Sequence, residues 1–153
     1  MAISGSGLLV ANIIDALDAT GTAIDLESET NVKLALFQAS ITPDFDASAA
    51  NAAYGAGAYA SGEVSGTGYT AGGVVLTTTT WTGSSGVATF DTADPSWSSS
   101  TLSSVRGALI YMNNLTPKAG IILVDLGTSY ATSNGTFLIS VAAGGWFSLD
   151  LVP

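Results

Sequence analysis

From Val32 onward the apolar residues come in short runs with a period of two, each closed by Gly, Pro, Asn, Asp or Ser. That pattern confines the chain to strands and turns, because alternate side chains of a strand share a face and the closing residues favour turn conformations. The segments that qualify are Val32–Phe37, Tyr69–Thr70, Val74–Thr82, Val87–Phe90, Ala108–Asn113, Ile121–Leu126, Gly135–Ala142 and Trp146–Leu151. Short strands at this density predict a mainly β fold, an antiparallel β-sandwich or barrel of about seven to eight strands. Val74-Val75-Leu76 followed by Thr77 to Trp81 is dense in the β-branched and aromatic side chains that suit a pleated surface. Leu109-Ile110-Tyr111 and Ile121 to Val124 are apolar at every position, which predicts central strands covered on both faces. Turn formers between them, from Asn113 to Gly120, make these two strands antiparallel neighbours.

Two segments depart from the strand pattern. Leu9, Ile13 and Leu17 recur at a spacing of four, with Val10 and Ile14 on the adjoining ridge, and predict one short N-terminal helix over about residues 7–18. It is expected to pack on the sheet, with an arm docked on a neighbouring subunit as the functional alternative. Residues 40–73 hold Pro43, many Ala and Gly, and scattered aromatics, and read as an extended excursion from a β-sandwich spanning 32–153. Long loops in compact domains tend to be functional, so Phe45, Tyr54 and Tyr59 are candidate partner contacts. The chain as a whole, 1–153, has the size of a single domain.

Composition narrows the chemistry. There is no His and no Cys, which removes His-dependent nucleophile systems, disulfides and the ordinary zinc, haem and iron–sulfur sites. Only carboxylate chemistry stays open, and no pair of the twelve acids is set apart by opposed environments, so the expectation is not an enzyme and no cofactor. Three basic residues, Lys33, Arg106 and Lys118, leave a formal net charge of −9, which argues against nucleic acid and anionic membranes as partners. No apolar run is long enough to span a bilayer, and the N-terminus lacks the basic start of a secretory signal, so synthesis in a cytoplasm is expected.

The run Glu63-Val64-Ser65-Gly66-Thr67-Gly68-Tyr69-Thr70-Ala71-Gly72-Gly73 is the most specific motif in the chain. Its glycines permit backbone conformations or close approaches denied to other residues. No Lys follows them and no helix is signalled, which sets aside a phosphate-binding loop. Glu63 is expected to accept a hydrogen bond from a turn or to pair with Arg106, the chain's one arginine. Asp44 with Asp46, and Asp91 with Asp94, are close enough to share a calcium ion but bring too few further oxygens, so no metal is assigned. Asp91 and Asp94 are read instead as turn formers and N-caps around Pro95. Trp81, Trp97 and Trp146 are assigned to a core or a subunit interface, with a sugar-stacking platform as the functional alternative.

The succession from Val32-Lys33-Leu34-Ala35-Leu36-Phe37 through Thr42-Pro43-Asp44-Phe45, the Glu63–Gly73 motif, Phe90-Asp91, Asp94 and Trp97 to Arg106–Tyr111 resembles small β-rich virion structural proteins of tailed phages and prophages. Asp125-Leu126-Gly127, Ser133 to Phe137 and the closing Gly144 to Leu149 extend the resemblance over about residues 8–151. It implies a bacteriophage structural protein of the virion, a head decoration or minor capsid protein bound to the major capsid protein and to copies of itself as a homo-oligomer. A tail-associated or surface module for host glycans is the alternative. The Ala-rich stretch Ala47–Ala58 departs from the family pattern, so no partner-contact residue is carried over from it.

Overall fold

A computed structural model describes residues 3–18 and 23–152. Its elements run β1 (Gly7–Leu8), α1 (Val10–Asp18), β2 (Val32–Gln38), β3 (Val74–Val75), β4 (Thr80–Ser84), β5 (Val87–Asp91), β6 (Ser96–Met112), β7 (Gly120–Leu138) and β8 (Phe147–Asp150). A five-stranded antiparallel sheet in the order β1-β7-β6-β2-β3 faces a three-stranded sheet in the order β4-β5-β8. The fold is therefore mainly β and sandwich-like, not a closed barrel, with one α-helix among the described residues.

Alternation along the central strands splits the apolar residues into two clusters. Leu34 and Leu36 of β2, with Ala108, Ile110 and Met112 of β6, join Phe90 of β5 in the space between the sheets. Ala35 and Phe37, with Leu109, Tyr111 and Leu123, point the other way. The unbroken apolar runs thus serve strands buried on both faces, and β6 and β7 pair as the hairpin expected from the turn formers between them.

The cover over the second face is the excursion. Ile41, Ala52 and Tyr59 are buried against Phe37 and Leu109, and isolated bridges tie Phe37 to Glu63, Ala53 to Ala119 and Thr67 to Thr101. The segment is a third layer, and its small side chains let its backbone bond directly to the hairpin, with Tyr54 N–H donating to Lys118 O at 2.9 Å and Gly120 N–H to Ala52 O at 2.9 Å.

Strand boundaries differ from expectation where the backbone is irregular. Val74–Thr82 is not one strand: Val74–Val75 pairs with β2, the chain crosses at Thr78 (φ 53°), and Thr80 begins β4 in the other sheet. Ala108–Asn113 is only the end of the seventeen-residue β6, whose first half was hidden because bulges between Trp97 and Gly107 spoil the period of two. Ile121–Leu126 and the first half of Gly135–Ala142 belong to one strand, β7, and Tyr69–Thr70 lies in a loop. The helix starts at Val10 and not at residue 7, because Gly7 and Leu8 pair with Leu123 and Ile122 of β7.

The helix also turns differently from its apolar pattern. Leu9 is buried just before it, but the innermost helical residue is Asn12, whose Nδ2 donates to Ala52 O and Gly120 O, both at 2.7 Å. Two strong acceptors reward that polar side chain, and the rotation it sets leaves Leu17 82% exposed and Ile14 54% exposed. No described helix is long and apolar enough to cross a membrane.

Candidate functional site

The outer edge of β2 is completed by two pieces of chain, one inside the excursion and one just after it. Residues 62–64 bond to its C-terminal half, through Gln38 N–H to Gly62 O and Val64 N–H to Leu36 O, while β3 pairs with Lys33 and Leu34. The glycine motif is the loop between these two pieces, and Glu63 closes it.

Glu63 Oε1 accepts from the Tyr69 hydroxyl at 2.7 Å and from Gly72 N–H at 2.6 Å, while Oε2 accepts from the Tyr54 hydroxyl at 2.7 Å. Tyr69 also accepts the Leu36 N–H at 2.9 Å, so a side-chain hydroxyl fills a position on the β2 edge where no strand runs. Tyr111 donates to Gly72 O at 2.9 Å and stacks on Tyr54 with ring centroids 4.5 Å apart. Lys118 Nζ sits 5.5 Å from the centre of the Tyr54 ring, within cation–π range.

Glycine is required at both ends of this loop. A Cβ on Gly66 (φ 153°) would lie 2.2 Å from Thr101 O, and one on Gly73 (φ 69°) would lie 1.7 Å from Leu34 O. Gly68 rests on the Ser98–Ser100 backbone in the same way. The motif is thus a backbone pressed against β6 and β2 and tied shut by one carboxylate.

Burial, aided by the neighbouring carboxylate, pushes the Tyr54 phenol up to about 12. Tyr59 is pushed up to about 12 by burial and by Asp44, and burial raises Tyr69 and Tyr111 well beyond the ordinary range. All four are neutral at physiological pH, and Tyr54, Tyr69 and Tyr111 donate hydrogen bonds. A carboxylate whose two oxygens already hold three donors is a poor base or nucleophile, so the arrangement is a structural clasp.

The expected Glu63–Arg106 pair does not form. Residue 107 is paired with Asp125 across the hairpin, which brings Arg106 Nε to 2.8 Å from Asp125 Oδ1 and Nη2 to 3.1 Å from Oδ2, and Nη1 donates to Gly127 O. Glu63 lies on the opposite edge of β2 from β6. The candidate partner contacts are also taken up inside the molecule. Tyr59 is 3% exposed, Tyr54 is in the clasp, and Phe45 packs on the second cluster while its carbonyl accepts Val10 N–H at 3.0 Å.

The acidic pairs have local duties. Asp44 Oδ1 accepts Asp46 N–H, Asp91 Oδ1 accepts Thr92 N–H, and Asp94 accepts Ser140 Oγ–H and Val141 N–H. No helix follows Asp91 or Asp94, so they tie loops and cap nothing. Of the tryptophans, Trp97 is buried, Trp146 is half-buried and donates to Thr92 Oγ1 at 2.8 Å, and Trp81 is half-buried against Phe147.

Sequence reasoning missed Asn12, a polar residue inside the apolar stretch, and missed the surface its placement exposes. Val10, Ile14 and Leu17 form an uncovered stripe on α1. Beside it an apolar groove of about 270 Å³ opens between Ile13 and Leu17 of the helix, Ile24, Trp81 of β4, and Phe147 and Leu149 of β8. Comparisons with protein families, with characterised proteins and with solved structures find no match to this chain.

Proposed function

We propose that this chain is a structural protein of a tailed-phage virion, a decoration or cement subunit that binds the major capsid protein on the capsid surface. In this reading it sits there as a homo-oligomer and adds contact energy across capsomer junctions, without catalysis, cofactor or nucleic acid. The resemblance of residues 8–151 to such proteins motivates the reading. The observation that carries it is the uncovered Val10, Ile14 and Leu17 stripe, because a chain with a formal charge of −9 keeps large apolar side chains in water where a partner will cover them. The Glu63 clasp supports it further, since the most elaborate polar cluster described spends its donors and acceptors on rigidity.

The test is sedimentation of purified protein with undecorated capsids and, separately, with purified tails. Saturable binding to capsids at a fixed ratio to the major capsid protein is the expected result. Binding to tails alone would replace the proposal with a host-adsorption module in which half-buried Trp81 stacks glycans, and binding to neither would overturn both.

A further inference from the structure

The groove between α1 and the three-stranded sheet has walls of one kind and a rim of another. Its walls are aliphatic and aromatic, and the charged groups lining it are Asp25 and Glu27. Glu27 is held in place, with its N–H donating to Asp25 Oδ1 at 3.1 Å and its Oε1 facing the Trp81 N–H at 3.4 Å. None of the three basic residues lines the groove, and Arg106 is already paired with Asp125.

We infer that this groove is the seat for an apolar protein segment flanked by Lys or Arg. The apolar walls supply burial, and the two rim carboxylates select the flanks and speed the encounter. A volume of about 270 Å³ suits side-chain anchors, being below the roughly 300–1,000 Å³ typical of small-molecule pockets. A second copy is the poorer occupant, because α1, which bears its exposed stripe, holds no Lys or Arg to meet Asp25 and Glu27. The four residues 19–22, Ala-Thr-Gly-Thr, offer no large apolar side chain to fill it. The chemistry of the segment follows from the groove alone. Its assignment to the major capsid protein rests on the proposal above.

The experiment uses the full chain and two synthetic peptides with the same Leu- and Val-rich centre, one flanked by Lys and one by Glu, read by tryptophan fluorescence and calorimetry. The Lys-flanked peptide is expected to bind more tightly by about tenfold, the worth of two partly desolvated ion pairs, and to weaken as salt is raised. Asp25→Lys with Glu27→Lys is expected to reverse the preference. Should that double variant fail to fold, Leu17→Glu, at an exposed wall position, is expected to weaken the Lys-flanked peptide's burial while leaving the melting temperature unchanged. Equal affinity for both peptides, no binding of either, or dimerisation blocked by Leu17→Glu would each overturn the inference. Capsid binding unaffected by the groove variants would overturn the inference and leave decoration standing. Peptide binding without capsid binding would do the reverse.

Discussion

Glu63 draws two tyrosine hydroxyls and one backbone N–H onto a single side chain, and each bond involves a charged acceptor. Glu63→Ala leaves three part-buried donors without their partner, and is expected to cost about 3–5 kcal/mol in urea unfolding, the scale of lost hydrogen bonds to a charged group. Glu63→Gln keeps the shape but turns an amide donor toward other donors, and is expected to cost about 1–3 kcal/mol. Wild-type stability of Glu63→Ala would show that the clasp is idle. The tyrosines make a second prediction, about pH. In the folded state Tyr54 and Tyr59 stay protonated up to about 12, whereas in the unfolded chain they ionise from about 10. Unfolding therefore releases protons in that window, so this contribution is intact below pH ~10 and is lost as pH rises toward 12. Melting temperature against pH is expected to fall steeply there, and less so in Tyr54→Phe.

The strands were legible wherever the backbone is regular. β2, β5 and the inner halves of β6 and β7 keep strict alternation or unbroken apolarity, and their positions could be read to within a residue or two. The outer half of β6 was not, because an extra residue at a bulge shifts every later side chain to the opposite face, spacing Trp97, Leu102 and Val105 irregularly. The glycine loop was recognisable as special but not as an edge cover for β2, since a close approach involves a second segment that the local sequence does not name. Gly73→Ala is the sharpest test of that approach. With φ at 69° and Leu34 O lying 1.7 Å from the new Cβ, the variant must displace β3 from β2, and a loss above about 2 kcal/mol is expected by thermal melting. Unchanged stability would mean the loop does not press on β2.

Three layers account for the described residues: an excursion, a five-stranded sheet and a three-stranded sheet, with the helix beside the start of β7. The excursion consumes the aromatic residues that looked like contacts; the helix stripe with the groove beside it is the surface proposed for a partner, and Tyr130 with Leu138 and Leu151 with Val152 are exposed elsewhere. Ile14→Glu is expected to alter stability by less than about 0.5 kcal/mol, because more than half of the residue is already exposed to water, while it weakens co-sedimentation with capsids. Loss of folding in this variant would show that the stripe belongs to the core, and undiminished capsid binding would remove it from the proposed interface.

By itself the sequence determined the β class, the two-face burial of the central strands, the β6–β7 hairpin and the chemistry that His- and Cys-free composition removes. These follow from short-range periodicity and from which atoms the chain possesses. Only the tertiary structure decided that Arg106 pairs with Asp125, that Glu63 gathers Tyr54, Tyr69 and Gly72, and that Asn12 faces inward while Leu17 faces out. Each depends on which segments meet, through strand register and the path of the excursion. A side chain's partner is fixed by that meeting, not by the residues beside it in the chain.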